Sequence, residues 1–216
     1  MKRGRLETKL SELLDAGSNE REIHGFLKEN PLIVRNTFAT SWNYGQVFSE
    51  VWLGSDYRVD FLVLCADSGS WSAHMVELKK PTTNLYNSNG DESKEMRLVK
   101  RQLEQRKTWV DSNNSYFRKE LSGLLASDYP AICSSADEHT LAKNEVQDPH
   151  VVIWDHYHAV IGRVSAMSES ERKRRREQMR IGGWGTPEIV TYDRFLHVAK
   201  WLDEANQDKN QIHRKR

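Results

Sequence analysis

Apolar residues recur at helical spacing over residues 5–15, where Leu6, Leu10, Leu13 and Leu14 line one side of RLETKLSELLD and Gly17 stops the run. SNEREIHGFLKENP predicts a second helix. Ser18 or Asn19 is its N-cap, Ile23, Phe26 and Leu27 form its apolar face, and Asn30-Pro31 ends it. Residues 32–43 read as a mixed segment or a short strand. The period then shortens. QVFSEVWLG predicts a strand over 46–53, with Val47, Ser49, Val51 and Leu53 on one face and Phe48 and Trp52 on the other. Two strongly apolar strands follow at about 57–65 and 71–79, joined by a DSGS turn, and Pro81 closes the second.

A polar loop leads into a long helix from about Ser93 to Asp111, with Met96, Val99, Leu103 and Val110 as its inner stripe. Another helix is predicted over 115–125, and Ala131-Ile132-Cys133 is a candidate strand. HVVIWD reads as a buried strand and HAVIGRV as its antiparallel partner, with DHYH (155–158) as the turn between them. SESERKRRREQMR is a charged helix capped by Ser168, IGGWGTPEIV a Gly/Pro connector, and TYDRFLHVAKWLDEA a final amphipathic helix. Trp154 and Trp201 are expected in the core; packing is also the default for Trp42 and Trp71. Strands between helices suit a mixed sheet flanked by helices. The expected division is a helical extension over 1–17, a domain over 18–203 and a polar tail over 204–216.

The 216 residues suffice to bury a core without staples. A formal charge of +1 gives no overall basic excess, so any nucleic-acid surface must come from local clustering. Neither of the two cysteines belongs to a C-x-x-C pair, which argues against a disulfide framework and a cysteine zinc site. No signal-like or membrane-spanning apolar run is found, so a cytoplasmic protein without membrane partners is expected.

The chemistry lies in the two apolar strands. YRVDFLVL carries Asp60, and MVELKKP carries Glu77 and Lys79. Period two sets Asp60 on the face of Leu62 and Leu64, and Glu77 on the face of Met75 and Lys79. If the strands pair, Asp60 approaches Glu77 or Lys79, depending on register. Two carboxylates in a partly dry site repel unless a cation joins them or one is protonated. A hard divalent ion suits such a pair, and a nearby lysine can orient water or stabilise developing charge. The opposing reading is an ordinary cross-strand ion pair. Burial favours the first, because buried charge is costly unless paired or metal-bound.

These residues resemble the PD-(D/E)xK nuclease superfamily, with Val59 where the motif's proline would stand. EREIHGFLKENP, VDFLVL, VELKKP, RQLEQRKTWV and VTYDRFL, in that order over roughly residues 18–203, are similar to the nuclease domain of the Shedu family of bacterial anti-phage proteins. The resemblance implies an α/β fold: a restriction-endonuclease-like mixed central sheet flanked by helices. It implies a site of Asp60, Glu77 and Lys79, with Gln102 on the following helix in support and an acidic residue of the entry helix added to the metal ligands. Glu20 is the candidate, Glu22 the second choice. It also implies Mg2+ (or Mn2+), DNA as substrate and a homo-oligomer. Only about 17 residues precede the entry helix, so a large N-terminal sensing domain is not expected in this chain. The expected function is a metal-dependent DNA endonuclease. The alternative is a catalytically inactive nucleic-acid-binding or protein-interaction module.

Weaker signals bear on binding. Arg172, Lys173, Arg175 and Arg176, within a run that includes Arg174, are candidate phosphate contacts, as is Lys80 beside the hairpin. Lys100, Arg101, Arg106 and Lys107 are a second candidate surface, with a polar outer helix face as the favoured reading. His24 is expected to be a partly buried structural residue near Glu20.

Overall fold

The computed structural model describes residues 4–39, 44–67, 70–126, 145–181 and 187–214; the expected strand at 131–133 and Trp42 lie outside them. Three helices open the chain: α1 (Arg5–Asp15), α2 (Glu20–Glu29) and α3 (Pro31–Phe38). Asn19 starts α2 through a capping box, its side chain accepting from the Glu22 N–H while the Glu22 carboxylate accepts from the Asn19 N–H. The third helix corrects the strand reading of 32–43. Pro31 occupies its first turn, where a missing N–H costs nothing, and Ile33, Val34 and Thr37 fall on one buried helical face.

A five-stranded sheet follows, in the order β1 (Tyr44–Leu53), β2 (Tyr57–Asp67), β3 (Ser70–Leu78), β4 (Val152–Val160) and β5 (Glu188–Val190). The first three strands form an antiparallel meander; β4 runs parallel to β3, and β5 parallel to β4. The crossover between β3 and β4 carries α4 (Lys94–Ser112) and α5 (Asn114–Leu125), as a parallel connection requires. The crossover from β4 to β5 carries α6 (Glu169–Ile181), and the chain closes on α7 (Tyr192–Arg214). Ser168 and Glu171 form a capping box that starts α6.

Several predictions fail in this half. DHYH is no turn: Asp155 to His158 lie inside the single strand β4. All four pair in parallel with β3, from Ala73↔Asp155 to Val76↔His158, and that ladder carries the polar residues through without a break. The Gly/Pro connector also contains β5, which is too short to show a periodic pattern. Trp154 and Trp201 are 50% and 53% exposed rather than core. Trp154 shares a face with exposed Val152 at the uncovered start of β4, and Trp201 falls outside the inward stripe of Phe195, Val198, Ala199 and Leu202 on α7. That helix also runs on to Arg214 where a polar tail was expected from residue 204, because no Gly or Pro interrupts it.

Each sheet face has its own core. One is packed by α4 and α5, with Leu62, Leu64, Met75, Val99, Leu103 and Phe117 among its members. The other is packed by α1, α2, α3 and α7, with Ile23, Ile33, Phe61, Val63, Val76 and Phe195. Leu10 and Leu14 place α1 inside this second core. The Asp203 carboxylate of α7 accepts from the free N–H groups of Leu6 (3.2 Å) and Glu7 (2.9 Å) at the start of α1. No helix among the described residues is long and apolar enough to cross a membrane.

Candidate functional site

Strand alternation breaks where β1 and β2 pass each other. Phe48 pairs with Leu62, and Val51 with Val59, and all four enter the α4-side core. Residues three apart in a regular strand point to opposite faces, so each strand must turn over in between. On β1 the turn-over is visible at Glu50, whose φ of 56° is left-handed and uncommon for a residue with a Cβ. Its opposite on β2 is position 60. Phe48, Val51 and Leu53 therefore share a core, against the faces expected of β1. Asp60 is likewise released from the face of Leu62 and Leu64. It lines a cleft of about 390 Å3 with Glu20, Arg21 and His24 of α2 and with Glu50, Arg58 and Leu78.

The register of β2 with β3 runs from Asp67↔Ser70 to Phe61↔Val76. The paired register stops there, one step short of Asp60 and Glu77. The Asp60 Oδ2 accepts from the Leu78 N–H at 2.7 Å, so its carboxylate sits against the backbone beside Glu77. His24 stacks on Phe61 (4.6 Å between centroids), and its Nε2 is 3.2 Å from the Asp60 carbonyl oxygen.

Glu77 keeps the regular alternation of β3 and faces α4. It is only 8% exposed. Lys79 Nζ donates to its Oε1 at 2.8 Å, and Arg106 Nη2 donates to its Oε2 at 2.8 Å. The same Nη2 also donates to the Arg58 carbonyl at 3.1 Å. A carboxylate this buried needs such partners, since removing one cation would leave uncompensated charge in a dry site. Gln102 lies one turn before Arg106 on α4. Its Oε1 is buried without a hydrogen-bond partner, and so is the Arg106 Nε.

The backbone after Glu77 is held from the other side. Tyr192 Oη donates to the Lys79 carbonyl at 2.6 Å, and the Lys79 N–H donates to the Val160 carbonyl at 2.8 Å. Burial raises the Tyr192 phenol well above its ordinary range, helped by the Glu20 and Asp60 carboxylates, so it stays a neutral donor. Lys80 is exposed, and the loop behind it is pinned where the Gly162 N–H meets the Lys80 carbonyl. Only glycine suits position 162: its φ is 65°, and a Cβ there would meet the Thr83 carbonyl oxygen at 2.5 Å.

A family model described as "Shedu protein SduA, C-terminal" matches residues 17–196. The chain belongs to the Shedu family. The match spans α2 to the start of α7 and leaves out α1, although α1 shares a core with the matched helices. Comparison with curated proteins finds no match.

The basic candidates divide. Arg172, Lys173 and Arg176 of α6 are exposed. Arg175 turns inward, with Nη2 3.5 Å from the Ile189 carbonyl, and desolvation lowers its pKa. Arg174 lies over the Tyr86 ring at 5.7 Å. The outer face expected of α4 is largely consumed in ion pairs: Lys100 with Glu92, Lys107 with Asp111 at 3.0 Å, and Arg106 with Glu77. Arg106, 6% exposed, corrects its assignment to that face. The sequence did carry the signal, since position 106 continues the stripe 96, 99, 103, 110.

Sequence reasoning also missed a histidine stack on the other face of β3. The rings of His74 and His156 are 4.4 Å apart and 10° from parallel. His74 Nδ1 lies 3.0 Å from His158 Nε2, and His158 Nδ1 lies 2.8 Å from the Glu188 carboxylate, which Arg194 also contacts at 2.8 Å. The near-parallel rings do not converge on a point. Among the described residues no group of three or more His, Cys, Asp or Glu is arranged to hold a metal ion.

Proposed function

We propose that this Shedu-family chain is a metal-dependent DNA endonuclease of the PD-(D/E)xK type, with a restriction-endonuclease-like fold, acting in anti-phage defence. The observation that carries the reading is the direct contact of Glu77, at the end of β3, with Lys79 just beyond it, and the Asp60 carboxylate accepting from the Leu78 N–H between them. The mixed sheet with helices on both faces is compatible with it.

The donor chemistry fits a hard divalent ion. Asp60 and Glu77 would hold it; Glu20, the further ligand that the resemblance implies, lines the cleft with Asp60, and Glu77 does not. Mg2+ or Mn2+ needs few protein carboxylates, because waters and substrate phosphate oxygens complete its shell, so a pair suffices although no group of three among the described residues is arranged to hold an ion. A buried acceptor without a partner, the Gln102 Oε1, also suits a site that gains a donor or a bound water in use. The ion supplies neutralisation of phosphate charge and acidification of a bound water. The chain's own groups do the rest. Lys79, held by Glu77 at its ammonium and by Tyr192 at its carbonyl, orients the attacking water and stabilises the developing negative charge. Gln102 would position Lys79, the water or the metal. Lys80 and the exposed Arg172, Lys173 and Arg176 are the candidate phosphate contacts, and their loss should weaken DNA binding and its salt dependence without regard to sequence. The family resemblance extends the reading to a homo-oligomer, which sedimentation would report.

Plasmid nicking with Mg2+ or Mn2+ tests the reading. Lys79→Ala should lose about 100-fold or more of the rate. Equal cleavage by both proteins would sink the assignment. One observation favours a second reading, an inactive nucleic-acid-binding module: both Glu77 oxygens are already taken by cations. Calorimetry separates the two, since the module would give no Mn2+ heat that depends on Asp60 and Glu77.

A further inference from the structure

The Arg106 guanidinium occupies the place a metal-bound carboxylate must give up. Its Nη2 donates to Glu77 Oε2 at 2.8 Å, and the other Glu77 oxygen takes Lys79 at 2.8 Å. The contact leaves the Arg106 Nε–H, a buried donor, without a partner. It also coincides with a buried acceptor without a partner, the Gln102 Oε1, on the same helix. Positions 102 and 106 are i and i+4, the spacing at which helical side chains reach each other. Two buried orphans of opposite hydrogen-bonding type, one turn apart, define an alternative pairing that the present rotamers do not make.

We propose that Arg106 is a stand-in cation for the divalent ion: it neutralises Glu77 in the metal-free protein and transfers to Gln102 when the ion takes the Glu77 oxygen. This rests on the nuclease reading and adds a residue to it. Arg106 acts through Glu77, so it is a positioning residue. In the metal-free site, Glu77 is never left as a bare buried carboxylate. In the metal-bound site, a guanidinium left on Glu77 would repel the ion, whereas one on Gln102 satisfies both orphans and leaves Glu77 free. Gln102 gains a defined partner, which explains a buried amide with its oxygen unused.

The test turns on the direction of change. Mn2+ binding to the full chain is measured by calorimetry for the wild type and for Arg106→Met, which keeps the length and removes the charge. Removing a competing cation should tighten Mn2+ binding by about tenfold or more. A merely structural arginine would do the opposite, and unchanged or weaker affinity overturns the proposal while leaving the nuclease reading intact. If neither protein binds Mn2+, the nuclease reading fails and takes the proposal with it. Should Arg106→Met not fold, the wild-type chain carries the test by NMR. The Arg106 Nε–H resonance, identified by its loss in Arg106→Lys, should shift downfield on Mg2+ saturation as it gains an acceptor. No shift at saturation overturns the proposal.

Discussion

Strand β3 buries ionisable groups on both faces, and the two faces solve the problem differently. Toward α4, Glu77 is matched by two cations, Lys79 and Arg106. Toward α3 and α7, His74 is stacked among His156 and His158, with Phe38 packed on His158 and a single carboxylate, Glu188, at the far end, itself shared with Arg194. Burial first, then the neighbouring His158 and His156, lower the His74 pKa to about 2, so the ring is neutral. His156 and His158 are lowered too, chiefly by burial. Burial alone would raise Glu188, but hydrogen bonds and charge from His158 and Arg194 prevail and bring it down to about 2. One face is thus held by opposite charges, the other by shedding charge. A carboxylate and an imidazole buried in one strand need different neighbours, because only the imidazole is neutral near pH 7 without taking up a proton.

The sharpest way to break the comparison is to remove a cation from the charged face. Arg106→Ala should cost about 3–5 kcal/mol in denaturant unfolding, since it leaves a buried carboxylate with one partner fewer. A loss below about 1 kcal/mol would mean that Lys79 and water suffice for Glu77.

Acid should break the other face. The unfolded chain protonates His74 at its ordinary value of 6.5, while the folded chain resists down to about 2. Between those values the unfolded state binds more protons, so the stability is complete above pH 6.5 and is lost as pH falls. From pH 7.5 to 5, His74 alone should cost on the order of 2 kcal/mol. Glu188, lowered from 4.5 to about 2, adds a loss in the same direction below 4.5. Melting temperature against pH reads this slope, and His74→Gln should flatten it. Arg106→Ala should leave the slope in place, as the residues face opposite sides of the sheet.

What could be read from the chain follows the same division. The common face of Glu77 and Lys79 was legible, because it needs only the period of one strand. So were the Ser168 cap and, narrowed to Ser18 or Asn19, the cap of α2, which are local chemistry. The face of Asp60 was not, because it depends on a left-handed residue on the neighbouring strand, Glu50, and glutamate does not advertise that conformation. Arg106 was misread although it sits in the apolar stripe of α4. A charge there makes sense only once Glu77 is known to face it. The histidines were assigned to a turn because DHYH is polar; the reason it is a strand lies in β3, some 80 residues earlier by register with His74. Periodicity reports an element's own faces. It does not report what another element brings to them.

The smallest effect expected tests how the charged face is anchored. Tyr192 reaches from the start of α7, on the histidine side of the sheet, to the Lys79 carbonyl at 2.6 Å. Its hydroxyl therefore ties the backbone of a residue on one face to a core on the other. Tyr192→Phe keeps the ring in place but leaves that carbonyl without its side-chain donor. The expected stability loss is about 1 kcal/mol, with intermolecular water unable to reach a hydroxyl this buried. The more telling readout is the nicking rate. If the bond merely stabilises the fold, the rate is unchanged under conditions where both proteins are fully folded. If it fixes the direction of Lys79, the rate falls by several-fold or more at unchanged Mn2+ affinity, because on the proposed nuclease reading a small displacement of Lys79 is costly while Glu77 and Asp60 stay where they were.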